Sequence, residues 1–191
     1  MKVLPARQKS DDVSRKSRPD LPEARQRLRG ELLAYLASHH VMTIASCRRN
    51  VPWAAAVFYA NDDFLLYFLS HPKSRHGTNL AANGRVSAAI HEDYHDWGQI
   101  RGIQLEGRAE RLKSVQQQAA FWKVYAKKFP FVKQFFRPGP FRRMVSGKVA
   151  GIRLYRIVPS ALYFIDNSKG FGHRERLDLK AEDTLRAPRN L

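Results

Sequence analysis

Residues 64–90 read FLLYFLSHPKSRHGTNLAANGRVSAAI, and how this stretch folds decides how the rest is assembled. FLLYFL (64–69) is an uncharged apolar run of strand length, and SHPK comes after it with turn chemistry. Ser74 is placed to cap a short helix over 74–82, and Asn83-Gly84 to stop it. A second strand occupies 85–91. The turn also concentrates chemistry. Ser70, Lys73, Ser74 and Arg75 are groups that hold anions, and His71 and His76 stand among them. The first N–H groups of a helix lack intrahelical partners and carry the positive end of its dipole, so hydroxyls and cations there make a phosphate site. A plainer alternative is a capped helix beside solvated cations. No GxxxxGK[ST] or GxGxxG is present, so this is not an ordinary nucleotide loop.

Upstream, Leu28, Leu32, Tyr35, Leu36 and His39 recur at helical spacing, with Asp20 as cap and Pro22 in the first turn. Strands are expected over 41–46 and 53–59, joined by hairpin-like CRRNVP, with ANDD turning into the 64–69 strand. Downstream, a long strand over 99–112 puts Ile103, Leu105, Gly107 and Ala109 on one face and Gln104, Glu106, Arg108 and Glu110 on the other. A helix over 114–128 starts at Ser114, and Pro130, Pro138 and Pro140 break the chain beyond it into short pieces. Two last strands, 151–158 and 161–165, are expected to join at Pro159-Ser160. The class is mainly β with peripheral helices (α+β). Its seven short, mostly sequential strands suggest a closed or split antiparallel barrel rather than a doubly wound sheet. Residues 1–20 read as a flexible basic arm, 21–180 as the folded domain with a basic helical segment at 114–148, and 181–191 as a tail.

The 191 residues are 43% apolar, enough for a real core, and carry a formal charge of +17. That excess is concentrated: 1–29 holds nine Lys/Arg against four acids, and 121–148 holds eight and none. The single Cys47 excludes an internal disulfide framework and a cysteine-rich metal site. No apolar run is long enough to span a membrane, and the N-terminus lacks an apolar signal core, so a cytoplasmic protein is expected.

The ordered segments PWAAAVFY (52–59), LYFLSHPKSRH (66–76), NLAANGRVSAAI (79–90) and QLEGRAERL (104–112) together resemble the pyridoxamine 5'-phosphate oxidase-like family of FMN-binding split barrels. The likeness covers residues 28–112 well and 161–179 more loosely. It implies a six-stranded antiparallel split β-barrel, a homodimer with FMN between the subunits, and flavin-mediated redox on a small molecule. The flavin ring would lie along Ala54, Ala55, Ala56 and Val57. The phosphate would be held by Ser70 at the end of the Leu69 strand and by Ser74, Arg75 and His76, with Lys73 beside them. Gln104 on the long strand and Trp97 in the preceding connection would approach the cofactor.

Departures from the true oxidase are informative. Ala55 and Ala60 stand where that enzyme brackets its second strand with Arg and Lys, Gly102 replaces a flavin-contacting Gln, and His76 replaces Lys. The terminal FIDNSKGFGHRERL lacks its Trp and paired Arg/His. Pyridoxamine phosphate oxidation is therefore not expected, and no catalytic side chain can be named. Flavin binding is still expected, because backbone groups supply much of the ring contact.

Three further segments carry alternatives. KGFGHR (169–174) is either a turning loop or a lid presenting Phe171, His173 or Arg174. A similar GFG stretch in haem-degrading split barrels makes haem the alternative cofactor, with His173 as an axial ligand. HEDYHDW (91–97) has helical metal spacing but lies between strands beside Gly98, so no metal site is expected. The basic-aromatic 121–148 is read as a helix packed on the barrel. A nucleic-acid or membrane-surface role is its alternative. In the packed reading Phe121, Trp122, Tyr125 and Phe129 share the buried face.

Overall fold

The computed structural model describes residues 21–135 and 151–180. The basic arm, the tail, the Asp20 cap, Pro138 and Pro140, and much of the basic-aromatic segment lie outside the described residues. Helix α1 (Leu21–Ser38) leads into β1 (Val41–Arg48) and β2 (Val51–Asp62). Next come β3 (Leu65–Ser70), α2 (Arg75–Ala82), β4 (Arg85–His91) and β5 (Arg101–Arg111). Helix α3 (Val115–Lys128), β6 (Arg153–Asp166) and β7 (Arg174–Asp178) complete the chain. All pairings are antiparallel, in the order β3-β2-β1-β4-β5-β6-β7, and an added β3–β6 ladder closes the first six strands into a barrel. Strand β7 lies outside the closure, paired with β6 alone. This is the expected six-stranded barrel.

Local chemistry explains several elements directly. The β1–β2 hairpin turns through Arg49 (φ 52°) and Asn50 (φ 60°), a primed turn whose hand matches strand twist. Ser74 caps α2, its hydroxyl accepting the Gly77 N–H. Ser114 and Gln117 form a reciprocal capping box on α3. At the other end of α2, Asn83 is extended and its amide donates to the Cys47 carbonyl at 3.2 Å, so a side-chain bond ends the helix without a left-handed glycine.

Two apolar clusters hold the layers together. The interior cluster joins Leu32 and Leu36 of α1 to Met42, Ile44, Phe68, Ile103, Leu105 and Phe164, each burial contributing about 1.5–3 kcal/mol. The second lies outside the barrel, where Phe121, Tyr125 and Phe129 of α3 cover Ala60, Leu65 and Tyr67. The aromatics expected to pack a helix on the barrel do so. Lys128 extends this contact: its ammonium donates to the last-turn carbonyl of Leu36 at 2.9 Å and lies 4.1 Å from the centre of the Tyr59 ring. No helix among the described residues is long and apolar enough to cross a membrane.

Two expectations are corrected. Residues 151–158 and 161–165 are not separate strands: β6 runs unbroken through Pro159-Ser160, which forms a bulge where the β5 register shifts between Glu106 and Gly107. The extra residue changes the phase of the strand, so Tyr155 and Ile157 face the interior before it and Leu162 and Phe164 after it. Gly107 permits this, since a Cβ there would meet the Val158 carbonyl at 2.5 Å and Pro159 Cα at 2.7 Å. Residues 161–165 are also not the last strand, because 174–178 form a further one. The turn at Asn167–Lys169 and the left-handed Gly170 (φ 137°) and Gly172 (φ 73°) reverse the chain into β7. Strand RERLD hides because only Leu177 of its five residues is buried.

Gly107→Ala should therefore destabilise the fold by about 1–3 kcal/mol through backbone overlap. Denaturant unfolding measures this, and a midpoint equal to wild type would show that the bulge does not depend on Gly107.

Candidate functional site

Strand β3 ends at buried Ser70, and the chain turns through His71, Pro72 and Lys73 onto the cap of α2. Three expected residues converge there. Ser70 Oγ lies 3.1 Å from Ser74 Oγ and 2.5 Å from His76 Nε2. Ser74 Oγ donates to the His71 carbonyl at 2.7 Å and accepts the Gly77 N–H at 3.1 Å. Burial lowers the His76 pKa below its ordinary value, so the ring is neutral near pH 7. The N–H groups of Arg75 and His76 precede the first intrahelical bond, Thr78 to Ser74 at 2.9 Å. The donor set suits an anion, whose oxygens would take over the hydroxyl-to-imidazole bond.

Arg75 and Lys73 stand differently. The Arg75 guanidinium is stacked over the Trp53 ring of β2, 4.3 Å from its centre. Lys73 is exposed, and its backbone N–H donates to His71 Nδ1 at 3.1 Å. Leu69 is half-buried against α3, so its side chain is turned away from the corner.

Beside the corner runs an unusual strand. Residues 51–58 of β2 pair with β1, but β3 pairs with β2 only over 59–62. Among the described residues, no strand covers the second edge of 51–58. Ala55 and Val57 lean on the interior cluster, Ala54 and Ala56 face outward, and Trp53 and Phe58 are exposed. Ala60 is fully buried beneath α3, so the helix occupies the space that a Lys at this position would need.

The other expected residues fall in two further places. Gln104 and Arg174 share a shallow cavity of about 350 Å³ with Thr43, Ser87 and Tyr163, on the outer sheet face. Trp97 and Phe171 meet at the tip, 75% and 83% exposed with ring centres 6.2 Å apart. Asn167, which sequence patterning missed, ties them together: its amide donates to the Trp97 carbonyl at 2.8 Å and its Oδ1 accepts the Gly172 N–H at 3.1 Å. A polar residue between two glycine-punctuated turns was the available signal. His173 turns the other way, with Nε2 3.3 Å from Glu175. In HEDYHDW, Asp96 caps the Trp97–Gln99 turn, and no group of three or more His, Cys, Asp or Glu able to hold a metal exists among the described residues.

Glu175 anchors the base of this turn, receiving Arg27 at 2.7 Å and Lys169 at 3.1 Å as well as His173. Burial opposes its ionisation, but the hydrogen bonds from Arg27, Lys169 and His173 outweigh it and hold the carboxyl down at about 2.

A family model described as pyridoxamine 5'-phosphate oxidase matches residues 28–155. A UPF0306 protein of Klebsiella pneumoniae is 30% identical over 142 residues, covering 73% of this chain and 86% of the relative. A heme binding protein from Mycobacterium smegmatis superposes with a TM-score of 0.61 at 21% identity, over 84% of this chain and 59% of that one. An FAD-binding protein from Mesorhizobium loti gives 0.51 at 24% identity, over 69% and 89% of the two chains. Likeness at these identities establishes the fold.

Because the Glu175 carboxyl ionises more readily folded than unfolded, it stabilises the protein above pH of about 4.5, and that contribution is lost as pH falls towards about 2. Glu175→Gln should flatten the acid limb of thermal stability. An unchanged limb would place the acid sensitivity elsewhere.

Proposed function

The chain belongs to the pyridoxamine 5'-phosphate oxidase family, and from that premise we propose that it binds FMN and acts as an oxidoreductase on a small molecule. The observation that carries this reading is the uncovered β2 edge at 51–58, lying beside the hydroxyl–imidazole corner at Ser70, Ser74 and His76. A planar, hydrogen-bonding ring suits a free strand edge of small residues, Ala54, Ala55, Ala56 and Val57. A phosphate suits the start of α2. When bound, the flavin supplies two-electron redox chemistry. The protein's own groups bind and orient it. The amides of β2 would meet the ring edge, Ser70 and Ser74 would hold phosphate oxygens, and Arg75 would have to leave Trp53 before it could add charge.

The working form is a homodimer. The outer face at Ala54, Ala56, Thr43, Ala45, Ser87 and Ala89 is small-chained, and a second copy would pack closely on such a face. Gln104, Arg174, Trp97 and Phe171 then approach the partner's cofactor. With Cys47 a free thiol, the cytoplasm suits this chemistry.

Haem is the competing cofactor, on the strength of the fold shared with a heme binding protein. His173 is less suited to serve as its ligand, because the ring is engaged by Glu175. A nucleic-acid surface on 121–148 would need stacking aromatics; among the described residues Phe121, Tyr125 and Phe129 are buried and Phe131 is exposed.

Absorbance of the purified protein tests the reading. A flavin band is expected, whereas a Soret band would overturn it in favour of haem. Combined Ser74→Ala and Arg75→Ala should weaken FMN binding by about tenfold or more, as loss of charge-assisted bonds requires. Unchanged FMN affinity in a fluorescence titration would remove the phosphate from this corner.

A further inference from the structure

We infer that Arg153, at the start of β6, is a ligand of the phosphate held at the Ser70–His76 corner, donating its Nε–H to a phosphate oxygen; this rests on the FMN reading above. Arg153 is the direct ladder partner of Ser70, the pair that ends the β3–β6 ladder. Paired residues leave the same face of a sheet with Cβ atoms about 4.5–5.5 Å apart, so the two side chains are neighbours. The guanidinium folds back onto the strand start, where Nη1 donates to the Gly151 carbonyl at 3.1 Å and to the Ile152 carbonyl at 3.3 Å. Gly151 in turn abuts the turn itself, since a Cβ there would lie 3.3 Å from His71 Nε2. Strand pairing and backbone bonds thus hold one cation at the wall of the corner.

That cation is incompletely satisfied. Arg153 Nε is one of two buried side-chain polar atoms without a hydrogen-bond partner among the described residues. A buried guanidinium donor without an acceptor is costly, and a bound anion is one of the few explanations for it. The other is Asp63 Oδ1, far along the sheet beyond the opposite end of β3.

The local charge balance points the same way. Arg75 is engaged on Trp53 and Lys73 is exposed. His76 is kept neutral by its burial, so it offers a hydrogen bond and no charge. A phosphomonoester dianion at this corner needs a fixed cation, and Arg153 is the one that the ladder places next to Ser70.

The test compares FMN with riboflavin, which has the ring and lacks the phosphate, by fluorescence titration of the full chain. Wild type should prefer FMN. Arg153→Gln should weaken FMN by about tenfold to hundredfold while leaving riboflavin affinity unchanged. Should that variant fail to fold, Arg153→Lys takes its place, with FMN weakened and riboflavin unaffected. Equal losses for both ligands, or no loss for either, would make Arg153 structural and overturn the inference. If wild type binds neither flavin, the FMN reading fails by itself, and inorganic phosphate becomes the probe. A rise in wild-type thermal midpoint with phosphate at matched ionic strength, absent in Arg153→Gln, would then still support Arg153 as an anion ligand. No phosphate response in wild type would overturn it.

Discussion

Everything in this molecule depends on the ladder that pairs β3 with β6, because it is the contact that turns an open antiparallel sheet into a closed barrel. Leu66 and Phe68 of β3 meet Ile157 and Tyr155 of β6 across it, and the Phe68 and Tyr155 rings stack at 5.1 Å. Closure also sets what remains open. Strand β3 is only six residues long and engages β2 only at 59–62, so the first half of β2 extends past its neighbour. The uncovered strand and the polar corner next to it are thus two outcomes of one short strand.

Closure also explains how the site could lose the side chains expected of a relative and keep its shape. With Ala60 beneath α3, the helix takes the place of a lysine, and aromatic packing replaces a charge. With His76 half-buried against Ser70, a hydrogen-bonding ring stands where a second ammonium would be. Each exchange lowers the local positive charge at the corner. An arginine delivered by the closing ladder restores charge from a different part of the chain.

What could be read from the sequence was local. The alternation at 103–110 gave the faces of β5, and the caps at Ser74 and Ser114 gave helix starts, because each depends on residues within a turn or two. The bulge was hidden because Pro-Ser is commonly a turn, and only Gly107 on the neighbouring strand lets β6 continue through it. Strand β7 was hidden because its partner covers one side chain in five. The corner at Ser70, Ser74 and His76 was legible since turn and helix are contiguous. Arg153 was not, since its place beside Ser70 exists only once the barrel has closed.

The uncovered run WAAAVF at 53–58 has a consequence for how the protein survives in solution. It carries no charge and no proline, and an unpaired edge of that kind is a template for cross-β stacking with other chains. Among the described residues no strand shields it, so long-range repulsion contributes to colloidal stability. A formal charge of +17 opposes the close approach of identical molecules. The basic surplus then opposes aggregation, an effect that salt would weaken by screening.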